Sequence, residues 1–134
     1  MKNSIFFLLC LSALFIASCS KDDGHEEHGV EVTFKSPTDG AKIALADAAS
    51  VSINVDFSSE EELHEVEVRL VADSAPSDNI IDFDEHSHET SYSFEQVVDL
   101  SSYDSGASFT LTTVVCADHD CGSTEEHSIS FSIE

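Results

Sequence analysis

Apolar residues recur at every second position in a series of separate runs along the chain, the mark of strands with one face buried and one face wet. The first run carries Val30, Val32 and Phe34, and Pro37 with Asp39-Gly40 ends it in a turn. The second carries Val51, Ile53, Val55 and Phe57 before an acidic turn over 58–62. The third holds Val66, Val68 and Leu70 and ends in a turn over 73–78 that contains Pro76. A short fourth run has Ile81 and Phe83, a fifth has Tyr92 and Phe94 and extends towards Leu100, a sixth has Phe109, Leu111 and Val115, and the last has Ile129, Phe131 and Ile133. The segment 60–70 is the one place a helix competes, and its β-branched, alternating residues favour a strand. Seven short strands without a helix of 3.6-residue period predict an all-β fold, a seven-stranded antiparallel β-sandwich over 30–134.

The N-terminus reads differently. Lys2 precedes an apolar run over 5–16, then Ile16-Ala17-Ser18-Cys19. The run is shorter than the roughly 20 residues that cross a bilayer, so 1–18 is expected to be a secretory signal. Residues 16–19 resemble the lipobox of bacterial lipoproteins, which implies cleavage before Cys19 and acylation of its sulfur and new amino group, a stable anchor. Ser20-Lys21-Asp22-Asp23 resembles the signal that sends lipoproteins of one group of Gram-negative bacteria to the outer face of the outer membrane. The resemblance implies an outer-membrane, lipid-anchored protein facing the cell exterior, with 19–29 as an acidic tether that includes His25 and His28.

Charge narrows the partners. Only Lys2 of the five basic residues would leave with the signal, so four basic side chains would face 27 acidic ones. Such a surface repels nucleic acid and anionic lipid heads and gathers cations, so membrane contact is expected only through the anchor on Cys19. Of four cysteines, Cys10 lies in the signal and Cys19 in the lipobox, which leaves Cys116 and Cys121. In an oxidising compartment a pair this close forms a disulfide, one that shapes a turn more than it restricts the unfolded chain. The other reading of the pair is two thiolate ligands for a soft metal.

Two segments carry a family resemblance. Ser36-Pro37-Thr38-Asp39-Gly40-Ala41 looks like the exit from the first strand of bacterial immunoglobulin-like domains. Ala117-Asp118-His119-Asp120-Cys121-Gly122-Ser123 is similar to their aspartate-rich turn before the last strand, with Cys121 inserted and Ser123 in place of the usual asparagine. With the lipobox, the chain resembles small Gram-negative lipoproteins that carry one immunoglobulin-like sandwich, a family that implies no catalytic activity.

The histidines supply the candidate chemistry. If successive strands alternate in direction, His25 and His28 precede the first strand, His64 opens the third, His86 and His88 lie between the fourth and fifth, His119 lies between the sixth and seventh, and His127 begins the seventh. All seven then fall at one end of the sandwich. His64 keeps step with Val66 and Val68, His127 with Ile129 and Phe131, and His86 and His88 with Tyr92 and Phe94, which predicts core-facing side chains. Imidazoles in an acidic setting suit zinc or copper, with carboxylates completing or orienting the ligand set. The predicted ligands are His86, His88 and His119, with His64 and His127 as further donors and Asp118 and Asp120 beside them. Calcium, which takes oxygen ligands, leaves the histidines unexplained. No HExxH or GxSxG signature occurs in the chain, so binding is favoured over catalysis. Two further readings remain at this level. One is a surface adhesion or accessory module with a cell-surface protein partner, in which the histidines are incidental; a glycan site is disfavoured by two tyrosines and no tryptophan. The other is a pH-sensing end in which imidazoles beside carboxylates gain charge on acidification.

Overall fold

The computed structural model describes residues 29–134. The predicted signal, the acylation position Cys19 and the tether histidines His25 and His28 lie outside them. The described residues fold into two sheets, one of order β1-β3-β6 and one of order β2-β8-β7-β4-β5. The strands are β1 (Glu31–Ser36), β2 (Lys42–Ile43), β3 (Val51–Ser58), β4 (Glu65–Ala72), β5 (Ala75–Glu85), β6 (Ser91–Val98), β7 (Ser108–Cys116) and β8 (Glu125–Ile133), with a 3-10 segment at Leu45–Ser50 before β3.

The alternation read from the sequence becomes the core. Val51, Ile53, Val55 and Phe57 of β3 face Val66, Val68 and Leu70 of β4 and Phe109, Leu111 and Val115 of β7, all of them buried. The Phe109 ring stacks on Phe131 at 5.2 Å between centroids. Phe83 of β5 meets Phe94 of β6 at 4.8 Å and so closes the sandwich between an edge of each sheet.

Two expectations are corrected. The described residues form eight strands, and one pairing is parallel: Lys42 and Ile43 lie alongside Ser132 and Ile133 of β8. A two-residue strand has no period to read. It exists because the turn after β1 moves the chain from one sheet to the other, with Gly40 at φ +72°, where a side chain would be strained. The Gly40 N–H donates to Ser130 O at 2.7 Å, and the Ser130 N–H donates to Asp39 Oδ1 at 3.0 Å. The fourth predicted strand, expected to be short, is the longest. β5 runs 11 residues because the turn before it shrinks to Asp73-Ser74, and Ala72 pairs with Ala75. Pro76 is tolerated inside it because β5 is an edge strand, where a missing N–H removes no ladder bond. A register shift between Leu70 and Val71 absorbs one residue and restores Ile81 and Phe83 to the inner side.

On the outer face of the smaller sheet, Asp56 pairs with Lys35 and accepts a hydrogen bond from Ser93 Oγ at 2.9 Å. The Lys35 contact first, then the Ser93 hydroxyl, hold its carboxyl below the ordinary value of 3.8. A folded pKa below the unfolded one stabilises the protein above about pH 3.8 and is lost as pH falls through the folded value. Asp56→Asn is therefore expected to lower the melting temperature slightly near neutral pH, since the pair is exposed, and to reduce the loss of stability between pH 4 and pH 2 by the same small amount. Thermal scans of both proteins across that range check it.

Candidate metal centre

β1, β4, β6 and β8 begin, and β3, β5 and β7 end, at the same end of the sandwich, as the paired residues Glu31 with Ser58, Ser58 with Ser91, Glu65 with Cys116 and Val66 with Glu85 show. Three loops meet there, over 59–64, 86–90 and 117–124, and backbone hydrogen bonds tie them together. The Ser59 N–H donates to Thr90 O and the Leu63 N–H to Glu89 O, each at 2.9 Å. The His64 N–H donates to Cys116 O, also at 2.9 Å. Leu63 is fully buried and pins the first loop to the core. Ser87 is buried as well, and its Oγ accepts the Glu89 N–H at 3.1 Å, which fixes the turn between His86 and His88.

Four imidazoles converge on this frame. The His64 ring lies 5.9 Å from His86, 5.5 Å from His88 and 5.1 Å from His119, and His86 lies 4.8 Å from His88. His64, His86 and His88 each present a ring nitrogen, and these nitrogens lie within 4.8 Å of one another. His64 is 8 % exposed, and its Nδ1 is buried without a hydrogen-bond partner among the described residues. A buried polar atom left unpaired costs about 1–3 kcal/mol, and Asn54 Oδ1 and His127 Nε2 share this state among the described residues. His86 and His88 are exposed at the rim, and His88 Nδ1 faces Glu62 Oε2 at 3.6 Å. A carboxylate behind one ring nitrogen orients the other towards an ion.

The parity expected for His86 and His88 is reversed. Ser87 takes the inward position and both histidines point outward, because they lie beyond the end of β5 in a turn that no longer follows strand alternation. They reach His64 nonetheless, since the turn folds over the end of β4. His64 does keep step with Val66 and Val68. His127 also keeps its predicted face, yet it stands apart from the four-ring cluster. It pairs with Thr113 on β8, four residues down from the level of His64 and two strands aside, which is roughly 13 Å along and 10 Å across. Its Nε2 faces Glu125 Oε2 at 3.5 Å, and Glu125 Oε1 accepts the Val30 N–H at 2.9 Å.

Cys116 and Cys121 are at disulfide distance, with Cα atoms 5.5 Å apart, within the usual range for such a bond. Between them the chain turns tightly, the Cys121 N–H donating to Asp118 O at 3.0 Å and Cys121 at φ +43°, and this turn presents His119 to His64. Asp118 and Asp120 are exposed on it. None of the three loops contains lysine or arginine, whereas they hold Glu60, Glu61, Glu62, Glu89, Asp118 and Asp120. The potential over the cluster is therefore negative and favours a cation. Below it, burial and then the charge of Glu85 push the Tyr92 phenol above its ordinary value.

Sequence reasoning missed Glu62, Ser87 and Glu65. Ser87 carried no signal beyond its place between two histidines. Glu65 groups with the sulfurs of Cys116 and Cys121, and separately with Glu67 and Asp84, all within 4.8 Å in each set, which only the strand register reveals. Compared with known proteins, the chain matches no family model and no curated protein.

Proposed function

We propose that this protein is an outer-membrane lipoprotein, anchored through acylated Cys19 and facing the cell exterior, whose immunoglobulin-like domain binds zinc or copper through His64, His86 and His88, with His119 as a fourth donor. The carrying observation is that His64, remote in sequence from His86 and His88, joins them with one ring nitrogen from each within 4.8 Å of the others. Zinc at 2.0–2.1 Å from tetrahedral ligands sets them about 3.4 Å apart, a contraction that rotation of the exposed His86 and His88 side chains supplies. Histidine-only ligation suits zinc and copper and disfavours calcium. The immunoglobulin-like reading is supported by the strand order, with β1-β3-β6 facing β8-β7-β4-β5 and β2 crossing to the second sheet.

A site with one buried ligand and two at the rim admits and releases an ion without unfolding, so capture, buffering or delivery fits better than catalysis. The acidic surface disfavours nucleic acid and leaves a cell-surface protein as the natural recipient or donor of the ion. Calorimetric titration of purified protein with zinc or copper near pH 7.5 tests the reading. Wild type is expected to bind stoichiometrically with a micromolar or tighter Kd, about −8 kcal/mol, and the His86→Ala/His88→Ala variant to lose that binding. Equal, weak uptake by both proteins would sink it.

A further inference from the structure

We propose that reduction of the Cys116–Cys121 disulfide opens a second metal site, separate from the imidazoles, in which two thiolates and the Glu65 carboxylate hold a thiophilic ion. The β4–β7 register sets Glu65 directly opposite Cys116. The turn closed by the Cys121 N–H to Asp118 O bond brings Cys121 back beside them, and both sulfurs and a Glu65 carboxylate oxygen lie within 4.8 Å of one another. Glu65 follows His64 in the chain, but alternation along β4 sends it to the outer face while Val66 turns inward, so Glu65 and the buried His64 face opposite ways at the strand end. Glu67 and Asp84 extend the carboxylate surface outward from Glu65.

The disulfide itself is a poor ligand, and reduction converts it to a good one. One thiol of a dithiol attacks one protein sulfur, forming a mixed disulfide and expelling the other as a thiol, and the reductant's second thiol then attacks its own linked sulfur and frees the first. Two electrons and two protons pass to Cys116 and Cys121, and the reductant leaves as a cyclic disulfide. A divalent ion then displaces the two thiol protons as it binds. Soft thiolates select zinc, cadmium or copper(I) over the hard cations that the carboxylates alone would take. His119 sits inside the loop that the disulfide closes, so one turn carries a donor for the imidazole set and two sulfurs for the other.

Cadmium is the probe, because its bonds to thiolate give an ultraviolet charge-transfer band that imidazole and carboxylate do not. The His86→Ala/His88→Ala protein is reduced with a dithiol, freed of it without oxygen, and titrated alongside an unreduced sample. The reduced sample is expected to take up one equivalent with the thiolate band and the unreduced one to show no band. Glu65→Gln, which keeps both cysteines, is expected to weaken that uptake tenfold or more, and Cys116→Ser/Cys121→Ser to abolish it. Absence of the band from the reduced protein would overturn the proposal. So would an affinity unchanged by Glu65→Gln, since the cysteines would then act as a simple dithiol chelator. The imidazole reading stands or falls separately, because its rim ligands are absent from the protein under test.

Discussion

His64→Leu is expected to make the metal-free protein more stable and to abolish its response to metal. His64 is 8 % exposed among core side chains, and its Nδ1 has no hydrogen-bond partner among the described residues. Leucine of similar size removes an unsatisfied buried atom, which contributes about 1–2 kcal/mol. If the proposed site binds zinc in the folded chain alone, zinc at a hundred times its Kd is expected to add about 2.7 kcal/mol to the wild type. At roughly 4–8 °C per kcal/mol for a domain near 100 residues, that is a rise of about 10–20 °C. Thermal unfolding of both proteins with and without zinc measures the two effects together. A leucine variant that melts lower than wild type without metal, or that keeps the zinc-induced rise, would contradict this account of His64. The exposed His86 gives the contrast: His86→Leu should leave the metal-free melting temperature nearly unchanged while weakening the zinc response.

Phe109→Ala should have the largest effect on the fold. Phe109 is fully buried at the start of β7, stacked on Phe131 and in edge contact with Tyr103 at 5.0 Å. Removing the ring leaves a cavity that neighbours on two paired strands cannot collapse to fill, and such changes cost about 3–5 kcal/mol. For a protein of ordinary stability, about 5–15 kcal/mol, this is a large share, and the melting temperature should fall by about 15 °C or more. Denaturant unfolding checks the magnitude. A loss under 1 kcal/mol would mean that the two strands repack around the gap.

The sandwich was legible because period-2 alternation records which side of a strand meets the core, and every predicted core residue of the third run, Val66, Val68 and Leu70, is fully buried. Strand ends were less legible. Whether 73–78 makes a long turn or, as it does, a two-residue turn and the start of β5 depends on tertiary pairing with β4 that leaves Pro76 on a free edge. The meeting of His64, His86, His88 and His119 followed from strand direction alone, since alternating strands send alternate loops to one end. What strand direction could not give was depth. His127 shares that end and the inner face, but its pairing with Thr113 sets it below the cluster. The orientation of His86 and His88 was likewise beyond reach, because Ser87 decides it by occupying the inward position of a turn.

The edge strand β5 also governs how two copies of the protein can meet. An open sheet edge is a template onto which a neighbour's strand can add, and a lipid anchor would raise local concentration in two dimensions. β5 carries Pro76, which offers no N–H, and Asp78, Asp82 and Asp84, which would face the same carboxylates on an approaching copy. Edges marked in this way resist polymerisation. The acidity of the histidine end thus continues along this flank, where it opposes edge-to-edge association of one sandwich with another.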